Sequence, residues 1–80
     1  MLSELSTRNK VVGQKQSAKA VTEGQAKKVF LARDADERVR VPIELLCRER
    51  GVAVFWLDSK EELGRACGIE VGASVAAILV

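Results

Sequence analysis

Histidine is absent from this chain, and cysteine occurs only at Cys47 and Cys67. Without histidine the usual general base is gone, and so are the Ser-His and Cys-His nucleophile pairs. A Cys/His zinc site is excluded, and the spacing of the two cysteines matches no zinc pattern, so no metal or other cofactor is expected. Both cysteines fall in apolar-periodic segments, which predicts buried free thiols. A Gly-rich phosphate loop is also missing: the stretch from Gly13 to Gly24 has neither the P-loop nor the dinucleotide spacing. Long hydrophobic runs are lacking, the longest being Ala73 to Val80, far too short to cross a bilayer. Residues 1–10 are polar and carry no signal-peptide core. A soluble, cytoplasmic chain with no membrane partner is expected, and no constellation supports an enzyme.

The 80 residues suit one domain, 1–80, with a modest core. Hydrophobic residues at 48% and charged residues at 30% fit a folded chain rather than a disordered one. The net charge of +2 conceals an asymmetry. Residues 1–33 hold seven Lys/Arg and two Glu, or +5, whereas residues 34–80 hold six Lys/Arg and nine Asp/Glu, or −3. The first part can face a polyanion while the rest does not. A domain this small suits a local RNA or DNA feature better than a long duplex.

Residues 1–9 read as a polar first turn, and Lys10-Val11-Val12 as a brief extended piece. Gly13 and Gly24 bracket a short helix, Gly24 being a natural residue for positive φ past a helix end. Lys28 to Arg33 has the apolar run of a strand buried on both faces. Asp34 and Asp36 follow it, at the strand end where α/β enzymes keep catalytic groups; capping of a helical turn explains them more simply. Proline occurs once, at Pro42, and favours the first position of a helix, so a turn at 35–39 and a helix over 42–50 are predicted. Val52 to Leu57 reads as a second core strand. Ser59 and Glu62 form a capping box for a third helix that ends at Gly68, with Glu61 and Glu62 complementing its dipole. Gly64 inside that helix costs about 1 kcal/mol relative to Ala, which predicts close packing there. Ile69-Glu70-Val71-Gly72 is a loop, and Ala73 to Val80 a last strand covered on both faces. Strands alternating with helices predict an α/β fold, with helices on both faces of a sheet whose core strands run mostly parallel.

In the first helix Ala18 and Val21 fall about 60° apart, while Lys15, Gln16, Lys19 and Glu23 spread over about 100° elsewhere. Long amines and an amide make a hydrogen-bonding face that suits phosphates and guanine edges, although a solvated charged face has the same pattern. Ile69 and Val71, flanking Glu70, either tuck under the sheet or form an exposed apolar platform; taken alone, burial is the more ordinary outcome. A platform would suit an unstacked base.

The order of these pieces is similar to a known family. Gly13-x-Lys15-Gln16-x-x-Lys19-Ala20-x-x-x-Gly24, Ala32-x-Asp34, Leu46-Cys47, Ser59-Lys60-x-x-Leu63-Gly64-x-Ala66-Cys67-Gly68 and Glu70-Val71-x-Ala73 occur together. Over about residues 10–80 they resemble the kink-turn RNA-binding ribosomal proteins, the family of archaeal "L-seven-A-e". The Ser-Lys-x-x-Leu-Gly string is the most specific part. The resemblance implies a three-layer α/β/α sandwich with a mixed four-stranded sheet. It implies a monomeric RNA-binding ribonucleoprotein component, with kink-turns in rRNA or riboswitch-like RNA as partners and the ribosome as a setting. Gly13, Lys15, Gln16 and Lys19 match the positions that dock at tandem sheared G·A pairs, and Ile69, Glu70 and Val71 match the loop over the bulged nucleotides. Lys15-Gln16 departs from the Asn-Glu of archaeal and eukaryotic members and resembles compact bacterial ones. A Glu carboxylate can accept two guanine donors where Gln16 offers one acceptor, so the departure bears on affinity and base selectivity. A protein-interaction module on the same fold, without RNA binding, is the other reading.

Overall fold

The computed structural model describes residues 5–7 and 9–80. Chain order is β1 (Lys10–Val12), α1 (Gln14–Thr22), β2 (Ala26–Ala32), α2 (Glu37–Arg50), β3 (Ala53–Leu57), α3 (Lys60–Ala66) and β4 (Val75–Leu79). The sheet order is β1-β4-β2-β3. β2 and β3 pair in parallel, with Phe30 beside Phe55, whereas β4 runs antiparallel to both β1 and β2, with Ala76 beside Val12 and Phe30. The expected mixed α/β sandwich is therefore present, but the expectation of mostly parallel core strands is corrected. After α3 the chain packs back along that helix to its first residue, where the Ala73 N–H donates to the Lys60 carbonyl, so β4 enters the sheet at the end where β3 leaves it and runs in the opposite sense.

Alternation along the two central strands builds two cores. Val29, Leu31, Val75 and Ala77 point to the face covered by α1 and α2, where Val21, Ile43 and Cys47 meet them. Phe30, Ala32, Ala76 and Ile78 point to the other face, against Leu63 and Cys67 of α3 and against Leu5. A stretch of strand buried on both sides must be apolar at every position, which accounts for the runs Val29 to Ala32 in β2 and Val75 to Leu79 in β4. β3, expected in the core, is instead the edge strand, and its Val54, Phe55 and Trp56 are only half-buried. Leu5, in the segment read as polar, is fully buried; residues 1–4 and 8 lie outside the described residues.

The second helix also departs from expectation. It begins at Glu37, so Pro42 stands inside it rather than at its first position. The Asp36 carboxylate caps the first turn by accepting from the Arg38 N–H at 2.8 Å, and Val39 and Arg40 N–H groups donate to the Asp36 carbonyl at 2.9 Å. Burial of Ile43 and Cys47 beyond the proline keeps the axis continuous and outweighs the missing N–H.

Candidate nucleic-acid interface

β1, β2 and β3 end, and β4 begins, at one end of the sheet, because β4 is antiparallel to its neighbours. That end therefore carries the N-termini of all three helices and the 69–74 loop. Gly13 makes the entry to α1 with φ 108°, a region that residues with a Cβ rarely adopt, and its N–H donates to the Val75 carbonyl at 2.9 Å. The same bond ties the start of α1 to the chain leaving the 69–74 loop. Among the described residues no side chain caps α1, and no acid stands in its first turn, so nothing described there opposes its leading N–H groups and its dipole.

Lys15, Gln16 and Lys19 are exposed, and their side chains make no hydrogen bond or ion pair among the described residues. The helix is seated by Ser17, Ala20 and Val21, all buried, with Ala18 only half-buried. Spacing of i, i+3 and i+4 sets that inner face, which lies slightly to one side of the Ala18/Val21 face read from the sequence. Ser17 is fully buried, and its hydroxyl has no partner among the described residues. Gln16 and Lys19 lean together over a shallow depression of about 260 Å³ that Glu23 also borders.

The 69–72 loop lies open. Ile69 is 37% and Val71 70% exposed, and Glu70 is exposed between them, so the ordinary expectation of burial is overturned. Its backbone, rather than its side chains, is what packs. A Cβ at Gly64 would collide with the Val71 carbonyl and lie 3.1 Å from Gly72 Cα, so the predicted tight approach at Gly64 is against this loop. Gly72 in turn rests on Lys60, and the Ala73 N–H donates to the Lys60 carbonyl at 3.0 Å. The Lys60 N–H, at the start of α3, donates to Asp34 Oδ1 at 2.7 Å. Ser59 Oγ accepts from the Glu62 N–H at 3.0 Å, as the capping box requires.

These contacts assign Asp34 and Gly64 a structural part that the sequence left open. Asp34 caps α3, a helix 26 positions later in the chain, rather than the turn beside it. Its candidate signal was the acid after β2; its partner had none. No hydrogen bond among the described residues joins Lys15, Gln16 or Lys19 to Ile69, Glu70 or Val71. The start of α1 and the chain leaving the loop share an end of the molecule, tied by the Gly13–Val75 backbone bond. Both cysteines are buried and free, and burial pushes the Cys47 thiol up to about 11. Burial also raises Cys67, partly opposed by the charge of Lys10. Among the described residues no group of His, Cys, Asp and Glu could hold a metal ion, and no helix is long and apolar enough to cross a membrane.

The description "Ribosomal protein L7Ae/L30e/S12e/Gadd45 family" matches residues 2–80. This chain belongs to that family. It is 44% identical over 71 residues to a protein named RNA-binding protein from Caldanaerobacter subterraneus subsp. tengcongensis, covering 89% of this chain and 87% of the relative. It is 40% identical over 70 residues to an RNA-binding protein of Bacillus pumilus, covering 88% and 85%. The solved structure titled "Giardia lamblia 15.5kD RNA binding protein" superposes with a TM-score of 0.88 at 33% identity, covering 99% of this chain and 68% of that one.

Proposed function

We propose that this chain is an RNA-binding protein that recognises kink-turns, with α1 at the sheared G·A pairs and the 69–71 loop over the bulge. The observation that carries the reading is one surface. The acid-free start of α1, with exposed Lys15 and Gln16 in its first turn, lies at the same end of the sheet as an exposed Ile69-Glu70-Val71 loop, and Lys19 in the last turn continues the exposed face of the helix. Phosphates and guanine edges suit the first half, and splayed bases suit the second. The names of its relatives support an RNA partner. Binding needs no reaction and no cofactor. It stabilises the bent RNA by favouring that conformer over the extended one. A single 1–80 unit acting as a monomer, in the cytoplasm and associated with rRNA or a structured regulatory RNA, is the setting this implies.

The test is a gel shift with a kink-turn RNA and with the same helix lacking its bulge. Clear preference for the kink-turn is expected. Equal affinity for both would reduce the reading to general RNA binding, and failure to bind either would turn attention to a protein partner.

A further inference from the structure

On the α1/α2 side of the sheet, at the β3 edge, four side chains from two elements and one turn line a shallow cavity of about 310 Å³. They are Arg33, Arg40, Glu44 and Trp56. Arg33 follows β2 and sets its guanidinium carbon 5.8 Å from the centroid of the Trp56 ring. Its charged neighbour, Asp58, is 3.5 Å away and largely exposed. Arg40 and Glu44 stand one turn apart on α2, both on the cavity. They form no ion pair with each other; Arg40 instead reaches Glu37 at 3.8 Å and the Ala35 carbonyl at 3.4 Å, both long contacts. Arg preceding Glu is the weaker orientation for an i, i+4 pair. Glu44 is half-buried, yet its carboxylate has no hydrogen bond or ion pair among the described residues. A Glu44 carboxylate with no partner among the described residues, and two guanidinium groups held only by long contacts, thus line this cavity, one of them over the Trp56 ring.

We infer that this cavity is a second binding site and takes an unpaired guanine nucleotide, either within an RNA strand or free. Guanine is the base that matches the set. Its N1–H and N2–H₂ donate to a carboxylate such as Glu44, and its O6 and N7 accept from an arginine such as Arg40. Its ring stacks on the guanidinium plane of Arg33 above Trp56, as unstacked RNA bases do on arginine. Adenine offers Glu44 no such pair of donors, and pyrimidines fill less of the ring surface. The site shares no residue with the α1 and 69–71 surface, so it stands or falls apart from the kink-turn reading.

Trp56 is the sole tryptophan, so its indole N–H gives one signal that reports on this cavity. GMP, AMP and UMP are titrated into the millimolar range while that signal is followed in a nitrogen–proton correlation spectrum. GMP should shift it saturably, with about tenfold preference over AMP and UMP. Glu44→Gln should keep the spectrum of a folded protein and lose the preference, while Lys19→Ala should leave GMP binding unchanged. A second arm compares kink-turn RNAs ending in an unpaired G or an unpaired U. If the source is RNA, the G tail tightens wild-type binding and not the Glu44→Gln variant; if only GMP responds, the source is the free nucleotide. An unmoved indole signal in both arms, or equal response to all three nucleotides, overturns the inference.

Discussion

At the scale of single residues, the clearest assignments concern what a side chain leaves unpaired. The Lys19 amine has no partner among the described residues, so its charge is available to a ligand at no cost in the folding contacts described. Lys19→Ala should therefore weaken kink-turn binding, by the roughly 1–3 kcal/mol of a charge-assisted contact, with unchanged thermal stability. Affinity and melting temperature measured on one preparation check this; a loss of affinity that tracks a loss of folding would refute it. Gly13 shows a different use of a residue. Nothing would obstruct a Cβ there, so glycine is required by its backbone angle, and the result is a helix start with no side chain in front of it. Lys15, Gln16 and Lys19 were legible in the sequence as a donor face because periodicity alone separates them from the buried side. Ser17 was not, since a serine reads as polar whatever covers it.

At the scale of elements, α3 and the 69–72 loop behave as one piece. Gly64→Ala places a methyl against the Val71 carbonyl and Gly72, so the loop must move away from the helix. The gain in helix propensity, about 1 kcal/mol, is outweighed by overpacking, typically 1–3 kcal/mol, and a lower midpoint in urea is expected. A midpoint at or above wild type would show that the contact yields freely. Replacing Ile69 and Val71 together with Ser has the opposite profile. Both are exposed, so stability should hold, while the preference for bulged over fully paired RNA should fall about tenfold, or 1.4 kcal/mol. Binding assays on the two RNAs, with urea unfolding alongside, decide this: unfolding would show the side chains to be core, and unchanged preference would detach the loop from RNA binding. The α2 boundary carries the lesson at this scale. Pro42 is a valid stop signal locally, but a cap at Asp36 and burial of Ile43 and Cys47 outvote it.

At the scale of the whole molecule, charge and burial set the responses to salt and pH. With +5 over residues 1–33 and −3 over the rest, RNA affinity should fall with salt, and Lys19→Ala should lower the slope by about one if Lys19 neutralises a phosphate. For pH, burial raises the Cys47 thiol from its ordinary 9.0 to about 11. Between those values the unfolded chain has released the proton and the folded chain keeps it. Raising the pH then favours unfolding, so this contribution is present below about pH 9 and is lost towards pH 11. Urea midpoints across that window should drop more steeply for wild type than for Cys47→Ala. Parallel slopes would place the alkaline loss elsewhere.

What the amino-acid sequence determined by itself is local: the order of strands and helices, the glycine ends, the Ser59 cap, the burial of both cysteines and the donor face of α1. Each follows from interactions within about one turn or one strand, and periodicity or a capping residue reports these directly. What only the tertiary structure decided is non-local. The antiparallel insertion of β4, the edge position of β3, the capping of α3 by Asp34 and the exposure of Ile69 and Val71 all depend on which segments meet in space. A carboxylate or a branched side chain carries no mark of a partner many residues away, and its surroundings are settled only when the sheet closes and the loop is pinned against Gly64.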